Sequence, residues 1–170
     1  MARSTGGRLV GVNTPRCLVA VVLTLLTLPA CGSPPDSNPG EHAPVASRPP
    51  AGMAWIIFPS DTVVAEIASD PASRYRGLRF RESLADGAGM VFLFDGPGPR
   101  EFTMSDTYVP LDIAFVGADM TVGEILPMMP LVEGPYRTDV RALLAVEVPQ
   151  GWFADHDIEV GTPVDIEFGG

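Results

Sequence analysis

Hydrophobic and polar positions alternate along several short segments of the chain, a pattern typical of half-buried β-strands. In Thr62–Ala68, for example, Val63, Ala65 and Ile67 fall on one face and Glu66 falls on the other. Residues that favour turns separate further segments of the same kind. The predicted strands are Trp55–Phe58, Thr62–Ala68, Gly89–Phe94, Arg100–Ser105, Leu111–Val116, Thr121–Leu126, Arg141–Val148 and Pro163–Phe168.

One segment between these strands has the pattern of a helix. Asp70 followed by Pro71 is typical of an N-cap residue and the first helical position. The spacing of apolar residues predicts that this helix ends near Arg81, with Tyr75 and Leu78 turned inward.

Glycine and proline set the expected fold class. The chain has 18 of each among 170 residues, and both disfavour helix interiors. The run Asp95–Pro99 predicts a turn that ends the preceding strand, and Pro127–Pro135 predicts a loop. A parallel βαβ sheet needs several crossover helices, and one helix is predicted. We therefore expect residues 54–170 to form a single, mainly β domain: a small β-sandwich or partly open barrel with one short helix.

The first thirty residues have the composition of an export signal. Arg3, Arg8 and Arg16 precede an uncharged, apolar run, Cys17–Ala30, as in a secretory signal. As a helix this run spans about 21 Å, less than the roughly 30 Å of a hydrocarbon core. We expect residues 1–30 to act as a signal peptide rather than as a permanent membrane span.

The segment Leu28–Cys31 resembles the lipobox of bacterial lipoproteins, in which the cysteine carries the lipid and becomes the mature N-terminus. Removal of the signal leaves Cys31 as the one cysteine, so it has no partner for an intramolecular disulfide. Residues 31–53 are rich in proline, glycine and serine and are expected to form a flexible tether. These features predict a lipid-anchored protein on the extracytoplasmic face of a membrane of the cell envelope. The alternative is an ordinary secretory signal followed by an incidental cysteine.

The charge of the exported part disfavours one class of partner. All 11 basic residues are arginines, and three of them lie in the signal, so 8 arginines face 21 acids and the formal charge is −13. Such a surface repels phosphate backbones, and we expect no nucleic-acid partner.

Several phrases between Thr62 and Phe168 resemble, in order and spacing, the family called domain of unknown function 192. They are Arg76-Gly77-Leu78 with Phe80-Arg81, Gly89–Phe92, Phe102–Met104 with Thr107, Pro110–Asp112 with Phe115, and Leu144–Glu147 with Gly151 and Gly161. The sequence departs from the family pattern at Arg79, Thr103 and Thr162, where relatives usually carry Met, Trp and an acid. The resemblance implies a compact, mostly β domain that is frequently exported, and it implies no reaction.

Few residues of the folded part are suited to catalysis or metal binding. His156 is its one histidine, and no cysteine accompanies it. It lies in a predicted surface turn, Asp155–Asp157, whose adjacent side chains offer at most two metal ligands. We predict no cofactor.

Two acids interrupt apolar strands, Asp112 between Leu111 and Ile113, and Glu147 between Val146 and Val148. If they point inward, each needs a partner such as Arg76 or Arg81, because an unpaired buried charge is costly. Outward-facing alternation and a purely structural ion pair are the alternatives. The candidate ligand-binding residues are Arg76, Met104, Thr107, Asp112 and Glu147.

The sequence leaves three functional hypotheses open. The favoured one is a binding module for a small molecule or a protein. The second is an enzyme that uses the Asp112 and Glu147 carboxylates on an envelope polymer or small molecule. The third is copper or other metal handling by methionines, of which the Met128–Met129 pair is predicted to be the most exposed.

Overall fold

The structure, a computed structural model, describes residues 47–170. The predicted signal, Cys31 and most of the predicted tether lie outside the described residues. The elements in chain order are β1 (Met53–Ile57), β2 (Thr62–Ala68), α1 (Pro71–Arg76), β3 (Ala88–Phe102), β4 (Leu111–Gly117), β5 (Val122–Met128), β6 (Tyr136–Pro149), α2 (Trp152–Asp155) and β7 (Asp165–Phe168). The predicted mainly β class is therefore confirmed. Neither helix of this part is long and apolar enough to cross a membrane.

The strands of the described part form one seven-stranded sheet in the order β5-β4-β6-β3-β2-β1-β7. Neighbouring strands are antiparallel, except that β2 and β3 run parallel and are connected through α1. The two edges of the sheet meet at one point, where the Val122 N–H donates to the Thr162 carbonyl (2.9 Å) and the Val164 N–H donates to the Met120 carbonyl (2.9 Å). The sheet is thus curled into a partly open barrel.

Both faces of the central strands are buried, so the domain has two hydrophobic cores. The inner core lies inside the curl and receives side chains from all seven strands and from Trp152 and Phe153 of α2. The outer core covers the convex face of β3, β4 and β6 and includes Leu78, Phe92 and Met104. Because successive strand residues point to opposite faces, neighbours on β3, β4 and β6 belong to different cores.

Helix α1 begins where the sequence predicts and ends earlier. The Asp70 carboxylate accepts hydrogen bonds from the N–H groups of Ala72 (2.9 Å) and Ser73 (3.0 Å), which confirms the N-cap. The helix stops at Arg76 because Gly77 adopts a positive φ of 50°. The predicted end at Arg81 is therefore wrong, and Tyr75, predicted to point inward, is 75% exposed. Leu78 is buried as predicted, from the loop after the helix.

The largest departure from the predicted elements is at Asp95–Pro99, which is no turn. Strand β3 runs through it, and its pairing with β6 shifts register between Leu93 and Gly98 and again between Gly98 and Arg100. Proline lacks an N–H donor, and glycine tolerates irregular backbone, so the segment forms bulges instead of ending the strand. The predicted strands Gly89–Phe94 and Arg100–Ser105 are therefore parts of the single strand β3, which ends at Phe102.

Two other boundaries also differ from expectation. The predicted loop Pro127–Pro135 is shorter, because β5 continues to Met128, and β6 begins at Tyr136 instead of Arg141. A second short helix, α2, was not predicted; it is a single turn that inserts two aromatic side chains into the inner core.

Candidate functional site

A cavity of about 370 Å³ opens into the outer core between α1, the loop that follows it and β3. We call it the outer cavity. Its volume is at the lower end of the range for small-molecule sites. Phe92, Leu78 and Phe102 supply apolar walls, and Glu147 lies among them. Charged residues also line it: Arg74, Arg76, Arg79, Arg100 and Glu101.

Glu147 occupies the centre of the convex face, paired in register with Met90 on β3 and Ile113 on β4. It is 5% exposed, and among the described residues no hydrogen bond or ion pair reaches its carboxyl group. Burial alone raises the pKa of Glu147 from 4.5 to about 8. At pH 7 the group is therefore mostly protonated, with one O–H to donate and free acceptor capacity.

Neither arginine proposed as a partner neutralises Glu147. The Arg81 guanidinium lies 2.6 Å from the Glu66 carboxylate instead. Arg76 lines the outer cavity with an exposed side chain, and no carboxylate of the described part lies within 4 Å of it. The buried acid thus faces a cavity rather than a counter-ion.

Asp112 is buried on the opposite side of the sheet. It pairs in register with Val148 of the inner core, whereas its neighbour Ile113 belongs to the outer core. Asp112 is 8% exposed, and its carboxylate accepts a hydrogen bond from the Gly151 N–H (2.8 Å). Burial raises the pKa of Asp112, and this hydrogen bond opposes the rise. The two acids do not share a cleft, so the geometry gives the two-carboxylate enzyme hypothesis no support.

The loop after β3 places the other two candidates at different depths. Thr107 is buried and lines the outer cavity, whereas Met104 is packed within the outer core. Backbone hydrogen bonds from Met104 to Val132 and from Leu131 to Thr107, each 3.1 Å, tie this loop to the one after β5. Of the five candidates, three therefore line the outer cavity: Arg76, Thr107 and Glu147. Met104 is buried in the outer core and does not line the cavity, and Asp112 lies on the opposite face of the sheet.

Comparison with known families identifies the domain. Residues 56–166, about two thirds of the chain, match domain of unknown function 192 (DUF192), described as uncharacterized ACR. The chain belongs to the DUF192 family. Two of the departures from the DUF192 pattern, Arg79 and Thr103, line the outer cavity.

Two solved structures resemble this DUF192 domain. A protein of unknown function from Novosphingobium aromaticivorans is 34% identical with a TM-score of 0.61, and the match covers 66% of this chain and 83% of that chain. A protein from Sinorhizobium meliloti described as a candidate transcription regulator is 26% identical with a TM-score of 0.62, over 66% of this chain and 91% of that chain. Among curated proteins, no sequence matches the chain.

Among the cavity residues that sequence reasoning did not select as candidates is Arg100. Its guanidinium lies 3.9 Å from the centre of the Phe94 ring, and that of Arg74 lies 5.8 Å from the same ring. Burial and the nearby Arg74 charge lower the pKa of Arg100. The bulges of β3 bring Arg100 to the cavity, and no local sequence pattern signals that placement.

The described residues contain no group of three or more His, Cys, Asp or Glu able to hold a metal ion. Met128, predicted to be exposed, is fully buried in the outer core, and Met129 is exposed. The two adjacent thioethers therefore lie in different environments.

Proposed function

We propose that this DUF192 domain is a small-molecule-binding module and that the outer cavity is its binding site. The observation that carries the proposal is Glu147, a carboxyl group that is almost fully buried, has no partner within the described residues and lines a cavity. No side-chain nitrogen or oxygen of the described residues is both fully enclosed and without a hydrogen-bond partner, so the unpartnered carboxyl oxygens of Glu147 are open to the cavity. A ligand atom placed there can form the hydrogen bond that the protein itself does not supply.

The surroundings of Glu147 fit a ligand with an apolar body and a few polar atoms. Phe92, Leu78 and Phe102 offer apolar contact, and polar atoms of Glu147 and Thr107 lie at defined points among them. Apolar walls combined with placed polar groups are a feature of small-molecule sites, and here several charged side chains also line the cavity. The ligand oxygen or nitrogen is expected to accept the Glu147 proton in a hydrogen bond.

The proposed location of this module is the cell envelope, on a lipid attached to Cys31. The support is the arginine-then-apolar signal, the lipobox-like segment that ends at Cys31, and the composition of residues 31–53. Two or more acyl chains on Cys31 would anchor the protein stably, since one chain alone binds membranes marginally. Intact mass spectrometry of protein from its host tests this: the expected chain begins at Cys31 and carries the added mass of acyl groups.

The acidic charge of the exported part argues against DNA as the ligand. The Sinorhizobium protein is described as a transcription regulator, but a formal charge of −13 on residues 31–170 opposes association with a phosphate backbone.

Ligand-detected NMR with a panel of small aromatic and aliphatic fragments tests the binding proposal on the purified full-length chain. We expect fragments to bind and Glu147→Leu to weaken them at least tenfold, because leucine fills similar space but offers no hydrogen bond. The matched control is Asp112→Asn, on the opposite face, which is expected to leave binding unchanged. Absence of any binding, or equal binding by Glu147→Leu, would overturn the proposal.

A further inference from the structure

Three arginines at the outer cavity have no carboxylate partner among the described residues. Arg79 is paired with Asp106 (3.1 Å), and the cavity residue Glu101 is paired with Arg137 (2.7 Å). Within the part of the chain that the structure describes, Arg74, Arg76 and Arg100 have no carboxylate within 4 Å. This is unexpected in a chain with 21 acids and 11 basic residues, because surplus acids could have neutralised them.

Two of these arginines are held in place without a ligand. The Arg74 Nη1 donates to the Ser69 carbonyl (2.7 Å) and to the Leu93 carbonyl (2.9 Å). The Arg100 Nη2 and Nε donate to backbone carbonyls of Gly96 and Ala142. Anchored side chains lose little conformational entropy on binding, so these guanidinium groups are preorganised.

The anchoring leaves donors free. Arg74 Nε and Nη2 and Arg100 Nη1 have no acceptor among the described residues. Both guanidinium groups lie against Phe94, and the charge of Arg74 lowers the pKa of Arg100, so the two charges are close and repel each other. The charge of Asp95 raises the pKa of Arg100, but this effect is smaller than the lowering by Arg74. An anion between them would relieve the repulsion and use the free donors.

The inner part of the cavity opposes an anion only weakly. Burial raises the pKa of Glu147 to about 8, so this carboxyl group is mostly protonated at pH 7 and opposes an anion little. A cationic ligand, by contrast, would enter past several guanidinium groups, and the cavity carboxylate Glu101 is already paired with Arg137. The signs of the charges therefore distinguish between ligand classes.

We infer that the ligand of the outer cavity is a small organic oxyanion with an apolar body, whose anionic group binds at Arg74, Arg76 and Arg100. This inference rests on the proposed function and adds the ligand class. The apolar body lies against Phe92 and Phe102, with a polar atom near Glu147. A carboxylate and a phosphate ester share the required chemistry, since guanidinium groups bind the oxygens of both.

Four probes that share one ring separate the classes: benzoate, phenyl phosphate, benzamide and benzylamine. Titration of the full-length chain at pH 7 and low salt, followed by NMR, is expected to show benzoate or phenyl phosphate binding at least tenfold more tightly than benzamide. Benzylamine is expected to bind most weakly. The difference between the two anionic probes shows whether the site prefers a carboxylate or a phosphate. Salt should reduce the advantage of the anions.

A pair of variants tests whether the tighter binding of the anionic probes depends on the cavity. Arg76→Gln removes an exposed charge that has no carboxylate partner among the described residues, and it is expected to weaken the anionic probes about threefold to fivefold while benzamide binding stays the same. Arg81→Gln, a few residues away and outside the cavity lining, is the matched control and should change neither.

The outcomes distinguish this inference from the proposed function. If benzamide or benzylamine binds as tightly as the anions, the oxyanion class is wrong and the binding module stands. Equal loss of anion binding in Arg76→Gln and Arg81→Gln would also overturn the inference, because a general charge effect would then explain it. If none of the probes and none of the fragments bind, both proposals fail.

Discussion

The two faces of the central strands bury similar apolar side chains, but the buried acid on each face has a different hydrogen-bonding environment. On the inner face, Asp112 receives the Gly151 N–H at 2.8 Å. On the outer face, the Glu147 carboxyl group accepts no hydrogen bond from the described part of the chain, and the residue lines a cavity of about 370 Å³. Burial raises the pKa of both acids, so burial alone does not separate them.

The difference indicates two roles. An acid whose hydrogen bond comes from its own chain is explained by the fold, since Asp112 holds the residue that precedes α2. An acid with no internal partner beside an open cavity is not explained by contacts within the fold, and this is the basis of the proposed ligand site. Asp112 is therefore expected to contribute to stability alone, whereas Glu147 is expected to contribute to ligand binding as well.

Truncation of an aromatic side chain in the inner core should have the largest effect on the free energy of unfolding. Phe153 is 1% exposed and packs edge-to-face against two rings. Its ring centroid lies 5.9 Å from that of Phe58 and 5.6 Å from that of Trp152. Phe153→Ala is expected to lower the free energy of unfolding by about 3–5 kcal/mol, because it leaves a void in a close-packed region. Urea denaturation measures the change.

Tyr75→Ala is the control for that measurement. Tyr75 lines the outer cavity but is 75% exposed, so its truncation should change stability by no more than about 0.5 kcal/mol. If the two substitutions had similar effects, burial of the Phe153 ring would not be the reason for its contribution to stability.

Glu147 is expected to make stability depend on pH. Its pKa is about 8 in the folded protein against 4.5 for the free group, so between these values the folded state holds a proton that the unfolded state has lost. The contribution of Glu147 to stability is therefore most favourable below pH 4.5, falls as pH rises, and levels off above about pH 8, with a total loss on the order of a few kcal/mol.

Urea denaturation of wild type and Glu147→Gln at pH 5, 7 and 9 measures this contribution. Glutamine keeps a donor and an acceptor without a titrating proton, so the decline between pH 5 and pH 9 should shrink in the variant. A decline of unchanged size would show that other groups cause it.

The sequence predicted the elements better than it predicted the site, for physical reasons. Alternation and capping are local, so β2 and the Asp70 N-cap could be predicted from neighbouring residues. The interruption of apolar strands also singled out Asp112 and Glu147 as unusual acids. Their separation onto opposite faces could not be predicted, because it depends on the pairing of β4 with β6, which are distant along the chain.

Glycine and proline caused the main errors, because their local meaning depends on the tertiary context. At Asp95–Pro99 they form bulges inside β3, since β6 continues the pairing on both sides. That continuation brings Arg100 to the cavity, so an error in one strand boundary hid a residue that lines the cavity. At Gly77 a single positive φ ends α1 and turns Leu78 into the outer core.

The smallest expected effect concerns Asp112 and completes the comparison of the two acids. Asp112→Ala removes the acceptor of the Gly151 N–H and should lower the free energy of unfolding by about 1–3 kcal/mol. Asp112→Asn keeps an acceptor oxygen and removes the cost of a buried charge, so its stability at pH 7 should stay within about 0.5 kcal/mol of wild type. Thermal unfolding of both variants, with fragment binding measured alongside, tests the assignment. Loss of binding in Asp112→Asn would place this acid in the functional site after all, whereas a stability change confined to the alanine variant shows that its role is the hydrogen bond to Gly151.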